Sequence, residues 1–269
     1  MRYFLPMIAA AANFLLATAE EAPQWTKVDK DLKFPFALRV LNEGIANDGK
    51  NWFFSQQHFL VSTTVDMKEL QINYEAIPKE LRDLEYAHIG DIDIAEGVIY
   101  GGLEIKGGGY HPGVLAKWRT SDLSLINYSM TTMDGCPWVA INPKTRLLYS
   151  AVWNNMTNLT VFNMDTLEPV GVVTVPTGLP GEIQGGAFWN DELYLSVNAN
   201  CSVWKLNLQS LDISRVLSAY NGEKKWMWEM EGIDFWDLSD RGLGVMHMYG
   251  NYMGAFKSVY NYNPPVMAA

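Results

Sequence analysis

Two cysteines in 269 residues are too few for a disulfide-stapled scaffold, and Cys136 and Cys201 lack the CxxC spacing of zinc ribbons and thiol oxidoreductases. Positive charge is also scarce. Twenty Lys and Arg stand against thirty Asp and Glu, for a net charge of −10. That balance argues against nucleic acid and against adhesion to anionic lipid, since both reward basic patches. No stretch beyond the first nineteen residues approaches the ~20 uninterrupted apolar residues of a membrane span. Long helical periodicity is missing after residue 33, as are the GxSxG, HExxH, P-loop and GxGxxG signatures. "GGLEIKGGG" reads as a glycine-rich hairpin rather than a phosphate cradle, because no helix follows it.

What is present begins with a leader. "MRYFLPMIAAAANFLLATAEEAP" places Arg2 before an apolar run and ends it at Ala17-Thr18-Ala19, a small-x-small cleavage site before Glu20. The expectation is a signal peptide over 1–19, with an uncleaved anchor as the alternative. Four Asn-x-Ser/Thr sequons follow, at Asn127, Asn155, Asn158 and Asn200. Together they predict a glycoprotein that is secreted or held in the lumen of the secretory pathway. In that oxidising setting Cys136 and Cys201 are expected to pair, with two buried thiols as the other reading.

The rest of the chain is a run of short segments rich in Val, Ile, Tyr, Trp and Phe, broken by Gly, Pro, Asn and Asp, which is the pattern of many antiparallel strands. One phrase occurs twice, "EGIAND" from Glu43 and "EGIDFW" from Glu231. Looser relatives stand between, "GDIDIAEGVIY", "PWVAINPKTRLLY" and "GGAFWNDELYL". Their central apolar residues are Ile45, Ile92, Val139, Ala187 and Ile233, forty-six to forty-eight apart. A second landmark, Leu123, Leu167 and Leu211, recurs every forty-four residues, with Leu70 as a looser match. A period of this length with four strands each predicts an all-β, five-bladed β-propeller over 33–269, after an N-terminal segment over 20–32. A six-bladed ring and a β-sandwich are the rival architectures. "KFPFALRVL", from Lys33, is a surplus strand expected to pair with the last blade and close the ring. A turn or two of helix is expected around "PKELRDL", and Trp138, Trp153, Trp189, Trp226, Trp228 and Trp236 are expected mostly as wedges between blades.

Innermost strands of a propeller line one channel, so residues in register meet there. This brings together Glu43, His88, Asp91, Asp93, Glu231 and Asp234. Asp93 and Asp234, with backbone carbonyls near, suit a hard cation such as Ca²⁺ or Na⁺. The other reading has them accept hydrogen bonds from inner-strand amides. His88, in "YAHIGDID" beside two carboxylates, is a candidate base, against a packing role, and Asp91, Glu43 and Glu231 are the further catalytic candidates. His111 falls in a glycine-rich crossing and His247 in a strand interior.

"GDIDIAEGVIY", "NLTVFNMDTLEPVGVVTV", "GGAFWNDELYL" and "EGIDFW" resemble in rhythm the olfactomedin-like domains, over about residues 86–240. That resemblance implies a central calcium, one disulfide, glycans and a role in extracellular contacts. Asp234 matches the family's metal residue, whereas Gly186 and Ala140 stand where it has asparagine and aspartate. "NDGKNWFFSQ" is similar to a phrase of calcium-dependent secreted apyrases, without their substrate residues. The leading expectation is an extracellular propeller that binds a protein or glycan partner, with calcium at its hub. The alternative is a metal-dependent hydrolase of a nucleotide, lactone, ester or glycan, its site at the channel mouth.

Overall fold

The structure, a computed structural model, describes residues 24–33, 42–105, 110–154, 157–219, 228–252 and 256–265. Two short strands, β1 (Thr26–Lys27) and β2 (Leu32–Lys33), come first. Blade 1 is β3 (Asn42–Asn47), β4 (Asn51–Gln56), β5 (Phe59–Thr64) and β6 (Glu69–Asn73). Blade 2 is β7 (Tyr86–Ala95), β8 (Val98–Ile105), β9 (Pro112–Arg119) and β10 (Leu125–Asp134). Blade 3 is β11 (Ala140–Asn142), β12 (Leu147–Ser150), β13 (Asn158–Asn163) and β14 (Pro169–Thr174). Blade 4 is β15 (Ile183–Trp189), β16 (Glu192–Val197), β17 (Ser202–Leu206) and β18 (Ile213–Ser218). Blade 5 is β19 (Trp228–Phe235), β20 (Met246–Tyr252) and β21 (Phe256–Asn263), and its outer edge is completed by β1 and β2.

All pairings within the blades are antiparallel, and the innermost strands contact in the cyclic order β3, β7, β11, β15, β19 and back to β3. This is the five-bladed propeller that the 47-residue beat predicts. The two EGI copies are the inner strands of blades 1 and 5, which meet where the circle closes. Closure itself comes from Thr26↔Asn263 and Leu32↔Val259. Of the expected closing strand only Lys33 is involved, and 34–41 lie outside the described residues.

The interior is divided by seam. Five apolar clusters each fill one gap between neighbouring blades, and Ile45, Ile92, Val139, Ala187 and Ile233 are all buried in them. Burial of this kind, at roughly 25 cal/mol per Å², is the main force holding blade to blade. Trp52, Trp118 and Trp138 are fully buried wedges, and Trp189 stacks on Phe235 with centroids 5.5 Å apart. Trp226 lies outside the described residues, as does the side chain of Trp228. The helix α1 (Lys79–Arg82) buries Leu81 in the seam of blades 1 and 2.

The second landmark marks the turn between the two outer strands. Leu123, Leu167 and Leu211 hold φ of 59°, 64° and 62°, with an Asn or Asp side chain accepting N–H bonds inside each turn. Such left-handed geometry disfavours leucine, yet Leu123 and Leu167 are buried, so apolar anchoring outweighs the backbone cost. In blade 1 that place is taken by Met67, at φ 64°, and not by Leu70, which is exposed on β6.

Candidate functional site

Four of the inner strands carry a β-bulge at the same level, between Asn42 and Gly44, Ile89 and Ile92, Ile183 and Gly185, and Met230 and Ile233. Bulges re-aim side chains. Here they mark the level at which the hub changes character.

At mid-depth the channel is filled by one carboxyl group. Asp91 is completely buried, and its backbone N–H donates to Pro137 O at 2.9 Å. Its Oδ1 accepts the N–H of Ile45 at 3.0 Å, and Oδ2 accepts those of Gly186 at 3.1 Å and Ile233 at 3.4 Å. One side chain thus ties blade 2 to blades 1, 4 and 5. The glycines of the repeated phrase are explained by it, because a Cβ on Gly44 or Gly232 would lie 2.7 or 2.3 Å from Asp91 Oδ1. Burial pushes the Asp91 carboxyl well above the usual range, against the pull of the N–H donors. Asp91 was expected among the catalytic acids. The structure gives it amide partners on three inner strands.

Above Asp91, at the N-terminal ends of the inner strands, His88 stands between two carboxylates. Its Nε2 is 2.7 Å from Glu43 Oε2 and its Nδ1 3.3 Å from Glu104 Oε2. Burial lowers the imidazole pKa, but the hydrogen bonds to Glu104 and Glu43 outweigh it and lift the value to about 9. Glu231 is buried beside them. Burial first, then the charges of Glu43 and Glu229, push its carboxyl well above the usual range. A hydrogen bond in which Glu231 donates to the Glu229 carboxylate adds to the upward shift. The surroundings thus favour the imidazolium form of His88 and the protonated form of Glu231, within one cluster.

Below Asp91 the second acidic pair meets. Asp93 accepts the N–H groups of Ile94 and Ile141, each at 2.7 Å. Asp234 accepts Phe235 N–H and Asn47 Nδ2, again at 2.7 Å. Burial raises Asp93 to about 7 and Asp234 well above its usual range, the latter helped by the Asp93 charge. All four oxygens already take a donor. Calcium asks for six to eight oxygens, and among the described residues no group of three or more His, Cys, Asp or Glu converges in a way that would hold a metal. As placed, this donor set does not fit a calcium ion.

The expected disulfide is corrected. Cys136 is buried in the seam of blades 2 and 3, where its Sγ lies 3.5 Å from Ser150 Oγ, and Cys201 in the seam of blades 4 and 5. Different seams hold the two thiols, so they are not joined. His247 is a packing residue, its ring bonded to Asn261 and to Trp236 O. Of the sequons, Asn127, Asn158 and Asn200 are exposed, and Asn155 lies outside the described residues.

Two participants escaped the sequence reading: Glu104 and Asn47. Glu104 faces His88 across the β7–β8 ladder, but the bulges displace the register that counting from the Gly97 turn would give. Asn47 was hidden in a turn phrase.

No family model matches the chain, and no curated protein matches it in sequence. Its fold is similar to that of glutaminyl cyclase from Myxococcus xanthus, at 13% identity and a TM-score of 0.63, over 90% of this chain and 99% of that one. It is also similar to a luciferin-regenerating enzyme, at 11% identity and a TM-score of 0.55, over 90% and 92%. At these identities the likeness is one of fold.

Proposed function

We propose that this propeller is an acid–base enzyme of the secretory route, working on a small polar substrate at the hub mouth that holds His88. The carrying observation is the cluster in which His88 bridges Glu43 and Glu104 while Glu231 is buried alongside. Carboxyl groups placed in unlike surroundings beside one imidazole can divide the labour of proton transfer. Glu43, its Oε2 held 2.7 Å from the imidazole, is the base. Glu231, whose burial favours its protonated form, is the acid. His88 positions the base and balances its charge, and Glu104 holds the other side of the imidazole.

Both fold neighbours named above are enzymes, which is compatible with this reading but does not decide it. The leader and the sequons support export as a glycoprotein. A binding role for an extracellular protein or glycan is the other reading carried by those features, and calcium belongs to it rather than to the cluster.

The test is a turnover screen of lactones, esters, amides and nucleotides with protein secreted from a eukaryotic host. Glu43→Gln and Glu231→Gln should each lower kcat by about 10²–10⁴-fold, the span of positioned acid–base groups. Full activity in both variants, or no turnover across the panel by the natural chain, would end the enzyme reading. Treatment with an N-glycosidase should lower the apparent mass of the secreted protein.

A further inference from the structure

Blade 3 ends on a strand unlike the other outer ones. The outer strands β6, β10 and β18 each carry a charged residue, Glu69, Asp134 and Arg215, and β1 and β2 bring Lys27 and Lys33 to the edge of blade 5. Such charges discourage another chain from pairing with an open edge. β14 has none, since Pro169-Val170-Gly171-Val172-Val173-Thr174 is uncharged throughout. Pro169 withholds an N–H only at the first position. Val170 and Val172 are 56% and 60% exposed, so this edge is apolar as well as uncharged.

Its backbone is open too. Val175 N–H donates to Thr157 O at 2.6 Å, and the alternation of an antiparallel ladder then turns the N–H and C=O groups of Val172 and Thr174 outward. No strand among the described residues lies beyond them. Left uncovered, this is a template for a second chain.

The same face carries a sequon. Asn158 pairs with Thr174 and Thr160 with Val172, and directly opposed residues of a ladder share a face. Asn158, Thr160, Val172 and Thr174 therefore project together, while Leu159 and Val161 are buried in the seam of blades 3 and 4. The exposed Asn158 accepts the Thr174 hydroxyl at 2.9 Å and the Thr157 hydroxyl at 3.4 Å, both through Oδ1. Its Nδ2, the atom that an N-linked sugar would occupy, has no partner among the described residues. Val172 stands only ~6.6 Å along the strand from Thr174.

We infer that Asn158 carries an N-linked glycan whose inner sugars lie over Thr174 and Val172 and close the edge of β14. In the transfer, Nδ2 bonds to the anomeric carbon of N-acetylglucosamine and gives up one proton. The bond from that carbon to its lipid pyrophosphate carrier breaks, and the pyrophosphate leaves with the electron pair. Oδ1 is untouched, so the Thr174 bond is kept and aims the sugar along the strand. A bulky, solubilising group thus does here what a charged residue does on the other edges. The inference rests on the export stated in the proposed function, and not on its chemistry.

The full chain is secreted from a eukaryotic host, its glycopeptides are read by mass spectrometry, and association is followed by light scattering on a sizing column. The Asn158 peptide should carry glycan. Asn158→Gln and Thr160→Ala should each lose it and associate with themselves at least tenfold more tightly than the natural chain. Thr160→Ala keeps Asn158 and its bond to Thr174, so the test survives a folding defect in Asn158→Gln, and near-ultraviolet circular dichroism identifies such a defect. Adding Val172→Lys to Asn158→Gln should reverse the association, whereas Asn127→Gln, on the outer strand of blade 2, should cause none. An exported chain with a bare Asn158, or variants that lose the glycan and associate no more than the natural chain, would overturn this inference alone. A chain that is not exported takes the export reading down with it, and the turnover of the Glu43 and Glu231 variants decides the acid–base reading separately.

Discussion

A Cβ added at Gly232 would sit 2.3 Å from Asp91 Oδ1 and 2.7 Å from the backbone nitrogen of Ile45. Neither neighbour is the loose end of a flexible side chain, so the clash cannot be relieved locally. Gly232→Ala should destabilise the chain by roughly 3 kcal/mol, the upper end of ordinary overpacking. Gly44→Ala, 2.6 Å from the Asp91 Cα, should cost a similar amount. Gly171→Ala meets nothing within 4 Å and is the matched control. Denaturant midpoints will rank the three, and a harmless Gly232→Ala would contradict the packed hub.

Asp91→Asn tests the same centre from the other side. An amide keeps one acceptor and turns two donors toward N–H groups of Ile45, Gly186 and Ile233. At least one buried N–H is then left unsatisfied, at about 1–3 kcal/mol. Asp91→Ala removes every acceptor and should be worse. If the asparagine form melts at the same temperature as the natural chain, Asp91 is not a tie between blades.

Stability should fall as pH rises. Asp91, Asp93, Glu231 and Asp234 all have folded-state values above their unfolded ones, so the folded chain holds more protons than the unfolded chain once pH passes about 4. Their stabilisation is complete below that point and drains away as pH climbs, through about 7 for Asp93. His88 extends the decline, since its contribution is full below 6.5 and lost through about 9. That imidazole alone accounts for roughly 3 kcal/mol, or about 6–12 °C in Tm for a chain of this size. Scanning calorimetry from pH 5 to pH 9 measures it. A Tm that rises with pH would contradict the upward shifts of these buried acids.

Calcium provides a separate check on the lower pair. With every oxygen of Asp93 and Asp234 already accepting an N–H, about 1 mM Ca²⁺ should shift Tm by less than ~1 °C relative to a chelator, since only a ligand that binds the folded state raises it. A rise of ~5 °C, abolished by Asp93→Ala with Asp234→Ala, would restore a central cation.

The architecture was legible because a propeller repeats one energetic problem five times. Each blade needs an apolar residue at the same place on its inner strand, and Ile45 through Ile233 record that need at nearly equal spacing. Depth along the channel was not legible. The bulges between Ile89 and Ile92 and between Met230 and Ile233 shift the level of every acid by a residue. Asp91 thus became a tie at mid-depth, while Glu43 and Glu231 gathered with His88. Glu104 reaches the site from a second strand, whose residues no inner-strand alignment samples. The cysteines misled for a related reason, because a ring distributes positions 65 residues apart into separate seams.

The closure of the ring also fixes a sequence of events in time. Lys30 supplies its carbonyl to Asn261 across 231 positions of chain, and Trp25 packs into the blade 4–5 seam among Trp189, Tyr194 and Phe235. At about 5–20 residues per second a ribosome needs roughly 12–46 seconds to cover that interval. During that wait the earliest strand has no partner and blade 5 has no outer edge. Chaperones that shield exposed strands would therefore be needed from the synthesis of β1 until β21 emerges.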